Sequence, residues 1–249
     1  MNFRDTRLQL SFFLILIFLS AIFNFNNIYF LKVLLLSVGS TVLFDLLFLK
    51  LRKVEFFPPT AALTTGLIIS LITSPTLPFY EPVLAGGVAM FFKNFVKIEN
   101  HHILNPAGIG VLSISILANH NVSWWTVSFQ NSFFFYVFLL LPAVVSMLRL
   151  KRFKITLPFL FLYSLLSFIM NPKLSPLNYL TDPTILFFSI VMLPEPMTTP
   201  NNARRQIAFG FLIAVLSILF SLSLFRNFRT SDPLIFSLLI GNLIFYRLR

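Results

Sequence analysis

The stretch Lys93–Gly110, KNFVKIENHHILNPAGIG, decides how the chain is read. It is the longest polar interval in an otherwise oily sequence, and it runs into Asn105-Pro106-Ala107 and a glycine-spaced apolar segment. Asn followed by Pro is the signature of a helix start, with Asn as the cap and Pro at the first helical position. The interval therefore predicts a cytosol-facing hinge, where one membrane helix stops and a shorter one begins.

Composition sets the frame. The chain has 249 residues, 57% hydrophobic and 11% charged, with a mean hydropathy of +0.87. A soluble domain of this length has no interior large enough for that much apolar surface, so lipid must cover it. There is no Cys, which removes disulfides, thiol catalysis and cysteine-ligated clusters. The net charge of +11 does not predict nucleic-acid binding, because the basic residues sit in short clusters between oily runs. The 33 Phe residues are read as lipid-facing and interhelical filling. Arg4 and Arg7 followed by an apolar run resemble a signal peptide, but no small-x-small cleavage pattern follows, so an uncleaved first helix is expected.

Taken in order, full-length helices are predicted over Leu8–Phe25, Ile28–Leu49, Pro82–Val96, Ser132–Leu148, Ile155–Met170, Gln206–Phe225 and Pro233–Tyr246. Shorter apolar pieces fall at Thr60–Thr73, Pro106–Ala118 and Asp182–Leu193, each bounded by proline. About 20 residues are needed to cross the hydrocarbon core, so these three are not simple spans. Trp124 and Trp125, in the loop Asn119–Asn131, are expected as interface anchors, and Asn171–Thr181 as a Pro-rich loop. With ten crossings and a cytosolic N-terminus, 15 of the 19 basic residues face the cytosol, the others being Lys32, Lys173, Arg226 and Arg229. Both termini are therefore expected in the cytosol.

The punctuation repeats. Pro58-Pro59, a short segment ending at Pro75 and Pro78, a helix, then Asn105-Pro106 is matched by Pro172 and Pro176, a short segment ending at Pro194 and Pro196, a helix, then Asp232-Pro233. Five crossings per half makes the halves oppositely oriented. The expectation is one all-α polytopic membrane domain over 1–249, with inverted repeats 1–118 and 132–249 whose short half-helices meet at the bilayer midplane.

Three stretches resemble a known family: LKLRKVEFFPPTAALTTGLIISL (Leu49–Leu71), AGGVAMFFKNFVKIENHHILNPAGIG (Ala85–Gly110) and MLPEPMTTPNNARRQIAFG (Met192–Gly210). They are similar to the D subunit of the Rnf electron-transport complex and to the B subunit of the sodium-pumping NADH:quinone reductase. The tail Arg226–Arg249 resembles the family's last helix. The resemblance implies a ten-helix, urea-transporter-like inverted-repeat fold in a bacterial plasma membrane. It also implies service in a multi-subunit, ion-translocating flavoprotein complex with other Rnf-like membrane subunits, and FMN carried on a Thr phosphoester on the extracytosolic side. Carried over by motif, Thr64, Thr65, Lys93, Asn105, Pro106, Glu195, Pro196 and Thr199 occupy family positions, with Asn100 ahead of the Asn-Pro-Ala box. Of these, Thr64, Thr65, Lys93, Asn105, Pro106, Glu195 and Thr199 are the cofactor-binding candidates.

The family's flavin-accepting motif has no counterpart. Thr126, in WWTVSF, is the lone Thr of its loop, and Leu180-Thr181-Asp182-Pro183-Thr184 replaces the family's glycine-rich opening. Non-covalent FMN or riboflavin is therefore expected rather than covalent FMN. Lys93 is read as snorkelling or as holding a phosphate or carboxylate, and Glu195 and Asp45 as solvated or as lining an ion path. His101, His102 and His120 are read as loop residues rather than metal ligands. No phosphate loop, nucleophile elbow or H-E-x-x-H motif is present. Two functions stay open: a membrane subunit with electron transfer via or near a flavin, and a stand-alone transporter of a small flavin- or urea-like solute. A ligand-free structural protein is a third.

Overall fold

The computed structural model describes residues 6–55, 57–98, 101–127, 136–137, 145, 151–222 and 232–248. The helix expected at Ser132–Leu148 falls almost wholly outside them, as do Asn100 and the basic residues Arg4, Arg149, Arg226, Arg229 and Arg249. Helices dominate: α1 (Thr6–Phe25), α2 (Leu31–Leu51, led by a 3-10 turn at Ile28–Phe30), α3 (Thr60–Ile72), α4 (Tyr80–Phe95), α5 (Pro106–Ala118), α6 (Phe153–Met170), α7 (Pro176–Leu180), α8 (Pro183–Phe187), α9 (Ala203–Ser221) and α10 (Pro233–Phe245). A two-residue ribbon, β1 (Lys97–Ile98) with β2 (His101–His102), pairs antiparallel inside the predicted hinge, so the chain is not strictly all-α. The expected loop Asn171–Thr181 contains the turn of helix α7.

Four stretches are long and apolar enough to cross a membrane: Leu8–Phe25, Ile28–Leu51, Phe153–Met170 and Ala203–Ser221. Thr60–Ile72, Pro106–Ala118, Pro183–Met192 and Pro233–Phe245 are apolar but shorter. At 1.5 Å per residue a 13-residue helix reaches about 20 Å, against a hydrocarbon core of about 30 Å. The sequence expected Pro233–Tyr246 as a full helix, and it belongs instead with the short ones.

Three of the short helices start the same way, with an Asx cap and Pro in the first turn. Asn105 accepts from Gly108 N at 2.9 Å, Asp182 from Ile185 N at 3.0 Å, and Asp232 from Leu234 N and Ile235 N at 2.9 and 3.0 Å. Helix α8 does not end at Phe187 but widens into a π-helical turn over Phe188–Met192.

The sidedness of α2 marks a membrane protein. It buries Val33, Ser37, Ser40, Thr41 and Asp45, while Leu35 and Leu43 are more than 60% exposed. Small and polar side chains face the protein and leucines face outward, as lipid-covered helices require. Close approach is enforced by glycine at several helix pairs. A Cβ on Gly110 of α5 would collide with the Ala85 carbonyl of α4, and one on Gly210 of α9 with the Ile155 carbonyl of α6. The core between helices is aromatic and aliphatic, with Phe18, Phe159, Phe187, Phe188 and Phe209 fully buried.

Candidate functional site

A helix end buried away from water leaves backbone carbonyls without partners, and apolar surroundings offer none. The last carbonyls of α3 show what the chain does about it. Ser70 O accepts from Trp125 Nε1 (3.1 Å), Leu71 O from Thr126 Oγ1 (2.8 Å) and Ile72 O from Ser123 N (3.1 Å). Trp124 donates to Asp232 Oδ2 at 2.6 Å, at the start of α10. Both tryptophans are under 10% exposed, and they spend their N–H groups on the Asp232 cap of α10 and the end of α3.

The same demand builds the site at the other break. Glu195 follows the π turn, between Pro194 and Pro196. Its carboxylate accepts from Asn105 Nδ2 (2.8 Å) and Thr198 Oγ1 (3.1 Å) on Oε2, and lies 3.0 Å from His102 Nε2 on Oε1. Asn105 thus caps α5 with its oxygen and holds Glu195 with its nitrogen. Its backbone N–H donates to Asn242 Oδ1 of α10 at 3.0 Å, and Asn242 Nδ2 donates to Thr198 O at 3.1 Å. The start of α5 therefore meets the end of α10, while Trp124, just beyond the end of α5, meets the start of α10. The two short helices run antiparallel.

Thr199 joins the same turn. It donates to Glu195 O at 2.6 Å and accepts from Arg152 Nη1 at 3.2 Å. Pro106 supplies the first turn of α5, and Pro196 follows Glu195 in the bend. Of the residues expected by motif, Asn105, Pro106, Glu195, Pro196 and Thr199 come together. His102 joins them, which a reading of it as a plain loop residue missed. It is buried, and the ribbon that places it has no signal in the sequence beyond its polarity.

Lys93 belongs to a second cluster. Its ammonium sits 3.0 and 2.9 Å from the two oxygens of Asp45, and Asn94 Nδ2 donates to Asp45 Oδ1 at 2.9 Å. Arg52 reaches Asn94 Oδ1 at 3.4 Å. Lys93 therefore pairs with a buried carboxylate rather than snorkelling. Lys97, just past α4, is held below the usual lysine range by burial, then by the positive charges of Arg52 and Lys93. Thr64 and Thr65 lie apart from both clusters. Thr64 shares a hydrogen bond with Ser11 of α1 at 2.9 Å, and Thr65 donates to Ala61 O at 2.9 Å. Glu81, which no motif flagged, is 2% exposed. Its Oε1 lies 3.3 Å from His120 Nε2 without the alignment of a hydrogen bond.

The Glu195 side chain keeps 24% of its surface accessible. A carboxyl group held by an amide, a hydroxyl and an imidazole can, when protonated, pass its proton to His102, and as the carboxylate can take a cation or accept from an N–H of a ligand. Among the described residues no group of three or more His, Asp or Glu is arranged to hold a metal ion. Thr126 does not fit a phosphoester acceptor, since it is fully buried with its hydroxyl donated to Leu71 O.

Lipid-facing helices, broken helices sealed by side chains, and a polar cage at the break define a multi-pass membrane protein with an interior polar site. The chain belongs to the NQR2, RnfD, RnfE family, whose sequence model matches residues 1–135. That makes it a membrane subunit of the Rnf/Nqr type. The match contains the Thr64-Thr65, Lys93 and Asn105-Pro106 boxes, and Glu195 lies beyond it. No match was found among curated proteins.

Proposed function

We propose that this chain is a minimal, non-autonomous Rnf/Nqr-type subunit of a bacterial plasma membrane, in which electron transfer runs via or near a flavin held non-covalently or by a neighbouring subunit. In this reading residues 1–118 and 132–249 are oppositely oriented halves, and the Glu195 cage lies where they meet. The observation that carries it is the 2.8 Å bond from Asn105 Nδ2 to Glu195 Oε2. It links two boxes, 90 residues apart, that the family resemblance picks out separately. The antiparallel run of α5 and α10 supports the inverted pairing.

A flavin, when bound, supplies one- and two-electron chemistry. The chain's own part is to present the Glu195 carboxylate to an N–H donor, keep it oriented by Asn105 and Thr198, and hold a proton between Glu195 and His102. Attachment through a Thr phosphoester is no part of this reading, given the burial of Thr126.

The test is purification in mild detergent, with visible absorbance and flavin fluorescence read before and after denaturation. Intact-protein mass spectrometry and identification of co-purifying subunits complete it. Flavin released on denaturation, or companion subunits with flavin domains, is the expected result. A colourless, partner-free protein that moves a small solute into liposomes would sink it.

A further inference from the structure

The cage at Glu195 leaves one part of the molecule unused. A cavity of about 550 Å³ opens between the starts of α6 and α9, lined by Lys151, Arg152, Lys154, Asn201 and Gln206 among others, with no acidic residue in its wall. Arg152 is 6% exposed, and its guanidinium holds the far wall in place. Nη1 donates to Thr199 Oγ1 (3.2 Å) and Pro200 O (2.5 Å), and Nη2 to Asn201 Oδ1 (2.8 Å). Among the described residues its Nε has no partner. Gln206, 4% exposed, donates to Pro200 O at 3.1 Å from the opposite helix. Lys151 and Lys154 are exposed, and neither pairs with a carboxylate among the described residues.

The rest of the setting is also that of an anion site. Helices of 18 and 19 residues both begin at the cavity, so their free N–H groups add positive potential there. The first turn of α6 has no side-chain cap. Both helices are long and apolar enough to cross the membrane, so their starts lie at headgroup level. Within about a turn of the cavity, the outward side chains become oily: Leu157 is 59% and Ile207 38% exposed. A soluble anion has no use for that apolar margin, whereas a lipid has a phosphate for the lysines and chains for Leu157 and Ile207.

We infer that the cavity between the starts of α6 and α9 binds the phosphate of an anionic phospholipid headgroup. Lys151 and Lys154 face the phosphate, and Arg152 sets the shape of the wall behind it.

The test uses the full chain, delipidated in a neutral detergent. Phosphatidylglycerol, phosphatidylcholine and inorganic phosphate are titrated in parallel at matched ionic strength, and binding is read by native mass spectrometry and thermal shift. Phosphatidylglycerol is expected to bind and stabilise, and phosphatidylcholine to do neither. Each of Lys151→Gln and Lys154→Gln weakens phosphatidylglycerol by roughly fivefold, the effect expected for one basic residue at an anionic surface. Lys50→Gln with Lys53→Gln, in the basic cluster at the end of α2, leaves the affinity within about twofold of the parent. Equal binding of the two lipids, or a Lys151/Lys154 double variant with parental affinity, overturns the site. Inorganic phosphate binding as tightly as phosphatidylglycerol overturns the lipid as its occupant.

Discussion

Replacing Asn105 by Ala tests the Glu195 cage at its most connected residue. The side chain is 3% exposed and makes two good bonds, to Gly108 N at 2.9 Å and to Glu195 Oε2 at 2.8 Å. Loss of an N-cap costs about 1 kcal/mol. Loss of a hydrogen bond to a charged group costs about 1.5–3 kcal/mol. The sum is about 2.5–4 kcal/mol, read as the shift in a reversible unfolding titration in mixed micelles. Asn105→Asp separates the two parts. It keeps an oxygen for Gly108 but removes the donor and sets a second carboxylate against Glu195. At neutral pH it is expected to be at least as destabilised as Asn105→Ala, and to recover as acid protonates the pair. An alanine variant within about 0.5 kcal/mol of the parent, or an aspartate variant as stable as the parent at neutral pH, would refute the assignment.

Three further outcomes follow from the packing and charge. Lys93→Met leaves Asp45 buried with Asn94 as its remaining donor and should cost about 3–5 kcal/mol, while the double variant Asp45→Leu/Lys93→Met recovers most of it in the same titration. Gly110→Ala and Gly210→Ala each drive a methyl into a facing carbonyl and should lower stability by about 1–3 kcal/mol. Gly39→Ala, with nothing within 4 Å of the new carbon, should be neutral or slightly stabilising. Lys97 has a folded-state affinity for its proton below the unfolded value, so the charged form opposes folding. Stability should therefore rise as pH climbs through the lowered value, and Lys97→Gln should be more stable than the parent at neutral pH and lose that part of the pH dependence.

Local chemistry made the helix starts readable. Asn105-Pro106, Asp182-Pro183 and Asp232-Pro233 each carry their cap and first-turn proline within three residues, and each begins a helix where expected. The separate boxes around Asn105 and Glu195 were visible too, but not their contact, because nothing local encodes a meeting across 90 residues. Asp45 and Lys93 are each candidates in the sequence, yet their pairing depends on how α2 crosses α4, which Ser40, Gly86 and their neighbours set through close packing. The donors that Trp124 and Trp125 supply to the start of α10 and the end of α3 were not legible, because a sequence shows those helix ends only as apolar runs. Nothing local marks Arg152 as buried, since its burial depends on the bend at Thr199–Asn201 that it holds.

The clasp between Asn105 and Asn242 has a consequence for biogenesis. The two partners are separated by 137 positions. At ribosomal speeds of about 5–20 residues per second, on the order of 10 s passes between their emergence. Until Asn242 emerges the Asn105 amide must be served by water or by the insertion machinery, and the Thr198 carbonyl likewise over the last 44 positions. The early helices are thus inserted before their lock exists, and α10 turns the key last.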